Sequence, residues 1–145
     1  MAEKRKADDI SEEDVVVTIE EATAQATKAL RAVGWDAKNA ALQAEIMVYA
    51  ETHGNNQGLV KLLNPSIMAP AAGAGAPAVE RDAACSAVVN GHQCPGMLAL
   101  VEAVDLAIAK CSADGASGVA LVGCHNTSTS SGQLAYYGAG RGRRG

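Results

Sequence analysis

The 145-residue chain is long enough for one domain, and its formal net charge of −4 argues against bulk binding to nucleic acid. No apolar run approaches the ~18 residues of a membrane-spanning helix, and the N-terminal "MAEKRKADD" lacks the apolar core of a signal peptide. We therefore predict a cytoplasmic protein with no membrane segment and no nucleic-acid partner.

The cysteines and histidines do not follow a metal-binding pattern. The four cysteines stand at positions 85, 94, 111 and 124, and no two have the Cys-x-x-Cys spacing of a zinc or redox site. The three histidines are scattered along the chain and lack metal-ligand spacing. We expect four reduced thiols and no bound metal.

The N-terminal third of the chain predicts a helical hairpin. Residues 1–16 are charged and are expected to form a flexible tail, followed by one domain over residues 17–145. The segment "TIEE" at residues 18–21 matches a capping box, in which a hydroxyl and a carboxylate satisfy the first amides of a helix. Apolar residues then recur at helical spacing, and Gly34 suits the left-handed position that closes a helix.

A second helix is predicted from the N-cap Asp36 to about His53, with Gly54 ending it. Only a short loop separates the two helices, which favours an antiparallel hairpin. The next segment, residues 64–79, mixes Pro, Gly and Ala without a period and is predicted to be a connector.

The second half of the chain predicts a strand, a helix and a strand. The segment "AACSAVVNG" at residues 83–91 is typical of a strand closed by an Asn-Gly turn, and Pro95 fits the first turn of the following helix. The all-apolar "GVALVG" at residues 118–123 predicts a second strand, buried on both faces. This order makes a βαβ unit with parallel strands, and the fold class is α/β.

The loop "CHNTSTSSG" at residues 124–132 follows the carboxyl end of the second predicted strand, where α/β sheets bind ligands. Its hydroxyl and amide groups suit a polar or anionic ligand, although an ordinary solvated loop has the same composition. Both interpretations stay open on the residues alone.

Two further patterns are weak. The glycines at positions 140, 142 and 145 match a dinucleotide-binding fingerprint literally, but the pattern lacks the strand before it and the helix after it. The terminal "RGRRG" resembles an RNA-binding segment, yet it is one short basic cluster on an acidic chain. Neither pattern supports a function.

Four stretches, "VTIEEATAQATKALRAVGWDAKNAALQAEIMVYAETHG", "NNQGLVKLL", "GMLALVEAVDLAIAKCSADGASGVALVG" and "NTSTSSGQLAYYG", resemble the type 2 malate/L-lactate dehydrogenases in the same order. That family also holds ureidoglycolate and related 2-oxo-acid reductases. The resemblance implies hydride transfer between NAD or NADP and a 2-hydroxy or 2-oxo acid. It also implies a fold that is not a Rossmann domain, and dimers with sites near the subunit interface.

The family pattern implies candidate catalytic residues at the end of the second helix. The family has Arg-Gly-x-Asp-Ser-His-Gly there, and its histidine is the proposed proton donor. The "THG" at residues 52–54 would place His53 in that role, whereas the surrounding frame fits better with Gln57 in the catalytic position. From the residues alone, we expect His53 mainly to end its helix, with proton transfer as the alternative.

The resemblance implies cofactor contacts in the loop after the second strand, at Asn126, Thr127 and Ser130. Many family members have Asn-His-Phe-Gly in this loop, and Ser130 aligns with that histidine. Because the loop and the "NNQG" segment both depart from the family pattern, we expect a divergent branch.

Family subunits are much longer than this chain, so we expect a truncated fragment of a larger domain that is inactive by itself. The predicted function is that of an NAD(P)-dependent oxidoreductase acting on malate-like or lactate-like 2-hydroxy acids. The alternative is a non-catalytic fragment that only associates with full-length subunits.

Overall fold

The computed structural model describes residues 15–55, 58–113 and 118–128, together with Gly140. Residues 15–128 contain, in their described parts, three α-helices, two short 3₁₀ helices and one three-stranded sheet, which confirms the predicted α/β class. In chain order these elements are α1 (Ile19–Ala32), α2 (Ala37–Thr52), the 3₁₀ helices Leu59–Leu63 and Pro65–Met68, β1 (Ala78–Ala83), β2 (Ser86–Asn90), α3 (Gly96–Ser112) and β3 (Leu121–His125).

The predicted capping box begins α1. The backbone N–H of Glu21 donates to Thr18 Oγ1 at 3.1 Å, and the Thr18 N–H donates to Glu21 Oε2 at 2.8 Å. Hydrogen bonds from the Thr18 backbone and then its hydroxyl lower the pKa of the Glu21 carboxyl. Gly34 adopts a φ of 105° just after the helix, which favours glycine and turns the chain toward α2.

Both ends of α2 also lie where the sequence predicts them. The Asp36 carboxylate accepts from the Asn39 N–H at 3.0 Å, and His53 is the residue that caps the carboxyl end. Gly54 follows with a φ of 79°. The predicted helical hairpin is therefore confirmed, since α1 and α2 pack against each other.

Small side chains and one tryptophan form the main core. The Trp35 side chain is 6% exposed, and its Nε1 donates to the Met68 carbonyl oxygen at 2.6 Å. This bond fastens the connector to the hairpin, so the connector has more structure than its composition predicts. The buried cluster consists of Ala26, Leu30, Trp35, Ala40, Ala44, Met47, Met68, Cys94, Leu98 and Ala99.

The sheet has the strand order β1-β2-β3. β2 and β3 are parallel and joined through α3, as the predicted βαβ unit requires. β1 pairs antiparallel with β2 and was not predicted, because its sequence "AVERDA" is charged and all six residues are exposed. The single strand predicted over residues 83–91 is consequently shorter, and Ala84 and Cys85 form the turn of a hairpin.

The predicted burial of the second βαβ strand is wrong. The strand lies at Leu121–His125, four of its five residues are exposed, and the Leu121 side chain is 76% exposed. The reason is its position: within the described residues β3 is an outer strand of the sheet, whereas an apolar run without alternation is typical of a central one.

The third helix is covered mainly over its first half. Pro95 precedes it as the N-cap, and Met97 and Val101 in its first two turns are buried. Farther along the helix, Val104 and Ile108 are half-buried. The C-terminal part of α3 therefore has less packing against it in the described part of the chain.

Candidate functional site

The segments that follow β2 and β3 lie side by side at one edge of the sheet. The Gly91 N–H donates to the His125 oxygen at 2.9 Å, and the Gln93 N–H donates to the Asn126 oxygen at 2.8 Å. A third bond joins the Ser128 N–H to the Cys94 oxygen at 2.9 Å. We call residues 90–95 and 125–128 the strand-end loops. Parallel strands place such loops where α/β sheets bind ligands.

Side-chain amides hold the two strand-end loops together. Asn126 Nδ2 donates to Asn90 Oδ1 at 2.8 Å, and Gln93 Nε2 donates to Asn126 Oδ1. The His92 backbone N–H also donates to Asn90 Oδ1, at 3.0 Å. An amide has two donors and two acceptor lone pairs, so Asn126 keeps one of each for a further partner.

Three non-glycine residues in these loops have left-handed backbone conformations. The φ angles are 46° at His92, 60° at Gln93 and 54° at Asn126. Such conformations are costly for residues other than glycine, and they cluster at ligand-binding sites. At Gly91 an added Cβ would lie 2.7 Å from Thr127 Cγ2, so the close approach of the loops requires glycine.

The predicted cofactor residues fall partly within the described structure. Asn126 and Thr127 lie in the second strand-end loop, and Thr127 is half-buried. Ser130 lies outside the described residues. Sequence reasoning missed Asn90 and Gln93, although the rule that pointed to residues 124–132 applies equally to the end of the first predicted strand.

The electrostatics of the strand-end loops limit what they can bind. Neither loop contains Lys or Arg. His125 Nε2 is 2.6 Å from Glu80 Oε2 on β1, with both side chains about half exposed. Hydroxyl, amide and backbone groups are therefore the available ligands, and they fit only part of a phosphate-bearing dinucleotide.

A cavity of about 880 Å³ lies between the start of α2, the first half of α3 and the connector. Its apolar walls include Trp35 and Leu98, and its charged groups are the carboxylates of Asp36, Glu102 and Asp105 against one cation, Lys38. This excess of carboxylates over cations disfavours a pyrophosphate in the cavity. The cavity lining also does not include residues 125–128.

The candidate catalytic His53 makes its contacts within α2. Its Nδ1 lies 2.8 Å from the Tyr49 carbonyl oxygen and 3.2 Å from Thr52 Oγ1. Since a carbonyl oxygen only accepts, Nδ1 is the donor in the contact with Tyr49. The ring also stacks on Tyr49, with centroids 4.0 Å apart.

The other candidate, Gln57, lies outside the described residues. Its neighbour Gly58 is buried against α2, where an added Cβ would lie 2.7 Å from the Met47 carbonyl oxygen. This close approach explains why the chain has glycine at the position after the candidate.

Other site types receive no support in the described ranges. No group of three or more His, Cys, Asp or Glu side chains is arranged to hold a metal ion there. All four cysteines are free thiols, and burial raises the pKa of the Cys94 thiol. Within those same ranges, no helix combines the length and apolar character needed to cross a membrane.

One comparison with known proteins identifies a family, and another identifies a shared fold. The family model for malate/L-lactate dehydrogenase matches residues 17–144. Malate dehydrogenase from Pyrococcus horikoshii OT3 is similar in structure, with a TM-score of 0.71 and 22% identity, over 88% of this chain and 36% of that one. Sulfolactate dehydrogenase from Methanocaldococcus jannaschii has a TM-score of 0.66 and 20% identity, over 78% of this chain and 33% of that one.

The structural likenesses show a shared fold, and the chain spans about a third of the length of these solved relatives. A search of curated protein sequences finds no match. The family model nevertheless covers most of the residues, including both strand-end loops and the end of α2. The chain therefore belongs to the malate/L-lactate dehydrogenase family.

Proposed function

We propose that this chain supplies one part of an NAD(P)-dependent oxidoreductase that interconverts a 2-hydroxy acid and its 2-oxo acid. The observation that carries the proposal is the pair of strand-end loops, joined by the amides of Asn90, Gln93 and Asn126, in a chain of this family. The loops combine costly backbone conformations with spare hydrogen-bonding groups at the ligand-binding edge of the sheet.

The described residues would hold only part of the nicotinamide cofactor. Asn126 has one amide N–H and one lone pair available, and Thr127 contributes a hydroxyl. Bound NAD or NADP would accept or supply the hydride, whereas a cation for its phosphates has to come from elsewhere in the subunit or its partner. From the family resemblance, the complete enzyme is expected to be a homodimer.

We assign His53 mainly to the end of α2. Its Nδ1–H satisfies a carbonyl oxygen in the last turn, a need that every helix end has. Proton transfer through Nε2 remains the alternative role. Gln57 occupies the acid/base position in the better family frame, where its amide donates a hydrogen bond to a carbonyl oxygen without transferring a proton.

Calorimetric titration of the purified chain with NADH and NADPH tests whether the site is complete. We expect weak or undetectable binding, because the strand-end loops contain no Lys or Arg to pair with the phosphates. Micromolar binding by the chain alone would show that the site needs no further polypeptide.

Turnover of a complete subunit carrying this sequence, measured with several 2-oxo acids, separates the two candidate residues. We expect His53→Gln to leave turnover nearly unchanged and Gln57→Ala to lower it. A drop of about a hundredfold for His53→Gln, the scale of losing a general acid, would restore the catalytic role of His53. Absence of turnover with all the 2-oxo acids would contradict the proposed function.

A second candidate function is a non-catalytic chain that associates with full-length subunits. Exposed apolar side chains favour it: Leu121 is 76% exposed and Leu63 is 85% exposed. Co-expression with a full-length family member distinguishes the two candidate functions. A non-catalytic chain would co-purify with that subunit, and substitutions in the chain would leave turnover unchanged.

A further inference from the structure

The bulge in β1 sets Glu80 apart from the regular strand pairing. Val79 and Arg81 pair with consecutive residues of β2, so Glu80 is the extra residue between them. A β-bulge redirects a side chain, and bulges are frequent next to active sites. In this sheet the redirected side chain is a carboxylate, and it contacts His125 on β3.

The Glu80 carboxylate reaches across the central strand of the sheet. Glu80 Oε2 lies 2.6 Å from His125 Nε2, although β2 lies between the two strands that carry these residues. Both side chains are about half exposed, and ion pairs exposed to this degree contribute little to stability. Stability alone is therefore a weak reason for a bulge that brings this carboxylate to the imidazole ring.

Strand register places His125 on the same face of the sheet as Asn90. The two residues pair between β3 and β2, and the side chains of paired residues point to one face. Val89 is fully buried, and successive side chains of a strand alternate, so Asn90 and His125 lie on the face opposite to the buried one. Asn126 follows directly and donates to Asn90 Oδ1 at 2.8 Å. His125 therefore lies at the same edge of the sheet as Asn126, the proposed cofactor contact.

The charged groups near the His125 ring come from β1. Glu80 contacts the ring, Arg81 follows Glu80 in the chain, and β2 faces the ring with a neutral amide side chain. Lys110 of α3 contacts Asp82 instead. Glu80 is therefore the charged group that orients the ring.

The contact with Glu80 also determines which ring nitrogen is available. A carboxylate oxygen only accepts, so Nε2 of His125 is the donor in this contact. When the ring is neutral it carries one N–H, and Nδ1 is then an acceptor. When Nδ1 takes a proton, the carboxylate balances the charge of the imidazolium. Glu80 and His125 thus have the arrangement of an oriented acid/base pair.

The proposed reaction needs a group that both takes and gives a proton. His53 is assigned to the end of α2, and the Gln57 amide does not transfer a proton. We propose, on the basis of the proposed function, that His125 is the catalytic acid/base and that Glu80 is its positioning residue. The bulge in β1 then has a function, since it brings the carboxylate across the central strand to the ring.

The proton and the hydride leave different atoms of the 2-hydroxy acid. In oxidation, the hydroxyl O–H bond breaks as His125 Nδ1 takes the proton, and the C2–H bond breaks as hydride passes to the oxidised nicotinamide. The electron pair of the O–H bond forms the second bond between carbon and oxygen, and the imidazolium then releases its proton to water. In reduction, the imidazolium gives its proton to the carbonyl oxygen as hydride arrives at C2.

Proton NMR of the 145-residue chain tests the contact between the two residues without any turnover. We expect a nuclear Overhauser effect between the ring proton on Cε1 of His125 and the Glu80 side chain, because Nε2 lies 2.6 Å from the carboxylate. His53 is the reference, since its ring stacks on Tyr49 with centroids 4.0 Å apart. A chain that shows the His53 contact but not the His125 contact would overturn the proposal.

Kinetics of a complete subunit carrying this sequence test the two roles. His125→Gln should lower kcat about a hundredfold or more with a 2-oxo acid, the scale of losing a general acid, and leave the Kd for NADH unchanged. In the unaltered subunit, kcat/KM for reduction should fall at high pH as His125 loses its proton, and His125→Gln should abolish this dependence. Glu80→Gln should lower kcat about tenfold. Asp82→Asn, also on β1, is the matched control and should leave kcat unchanged.

The outcomes separate this proposal from the proposed function. An active subunit in which His125→Gln retains near-normal kcat and the same pH profile would overturn the role of His125 alone. Equal effects of Glu80→Gln and Asp82→Asn on kcat and on melting temperature would overturn the positioning role of Glu80. Absence of turnover in the unaltered subunit would overturn the proposed function, and this proposal with it.

Discussion

The helical hairpin and the sheet of this chain differ in how much of their surface other residues bury. In the hairpin, hydrogen bonds cap the start of each helix, and alanines and Leu30 form a buried interface. In the sheet, both β1 and β3 are largely exposed, and only β2 alternates between buried and half-buried residues. The hairpin is therefore the better packed of the two regions, while the sheet presents surface that suits further polypeptide.

The difference separates residues that stabilise the chain from residues available for binding. Residues that stabilise the chain lie in and around the hairpin, where truncation leaves cavities. The strand-end loops and β3 lie on the sheet, where substitutions change binding or association more than folding. Four pairs of variants test this contrast.

The largest expected effect comes from paired leucine truncations. Leu30→Ala should lower the free energy of unfolding by about 2–5 kcal/mol, because Leu30 is fully buried and leaves a cavity. Leu121→Ala should change it by less than about 0.5 kcal/mol, because the side chain is mostly exposed. Urea unfolding measures both. Similar losses of unfolding free energy would mean that Leu121 in the sheet is packed as fully as Leu30 in the hairpin.

A pair of glycine substitutions gives the next largest effect. Gly58→Ala should destabilise the chain by about 1–3 kcal/mol, because its Cβ would clash with backbone of α2 at Met47. Gly123→Ala, which meets open space on β3, should be close to neutral. Thermal melts followed by circular dichroism compare them. If Gly123→Ala lowered the melting temperature and Gly58→Ala did not, the close contact between Gly58 and Met47 would be wrong.

The N-cap of α2 predicts a smaller effect that depends on pH. Asp36→Ala should cost about 1 kcal/mol by removing the cap, whereas Asp36→Asn keeps a capping oxygen and should cost less. The Asn39 backbone N–H lowers the pKa of Asp36 from its ordinary value of 3.8.

A carboxyl with a lowered folded-state pKa stabilises the fold above its unfolded pKa, and this contribution disappears as pH falls through the folded value. The gap between wild type and Asp36→Asn should therefore be present at neutral pH and shrink below the ordinary value of 3.8. Urea unfolding from neutral to acidic pH measures it. If the difference in the free energy of unfolding between the two proteins grew in acid, the Asp36 charge would not stabilise the fold through the cap.

The smallest expected effect is at the end of α2. His53→Gln should lower stability by about 0.5 kcal/mol, because it removes one exposed hydrogen bond to the Tyr49 oxygen and the ring stacking. Thr52→Val, which removes the neighbouring hydroxyl bond to the same oxygen, is a matched comparison. Calorimetric melting temperatures measure both. A loss of several kcal/mol would place His53 in a packed site that the described contacts do not include.

Local chemistry made the hairpin predictable from the sequence. A capping box, an N-cap aspartate and two left-handed glycines each act within a few residues, so they need no knowledge of the tertiary fold. The sheet was harder to predict. β1 carries charges that do not alternate, and β3 is apolar on both faces although its exposure depends on which strands lie beside it.

The candidate site was predictable in place but not in detail. The rule for parallel strands located Asn126 and Thr127 correctly at the carboxyl edge. It did not indicate that Asn126 bonds to Asn90 and Gln93, since that network depends on residues over 30 positions apart. The left-handed backbone at His92 and Gln93 was also not predictable, because histidine and glutamine do not indicate a positive φ as glycine does.

The bond between Trp35 and the connector gives the chain an intrinsic optical reporter. Trp35 is the only tryptophan, and its indole is buried with Nε1 held by the Met68 oxygen. Release of the connector would expose the indole to water and shift its emission to longer wavelength, while the helices kept their far-ultraviolet signal. Emission and helicity recorded on one sample therefore resolve connector detachment from unfolding of the hairpin, without any added dye or label.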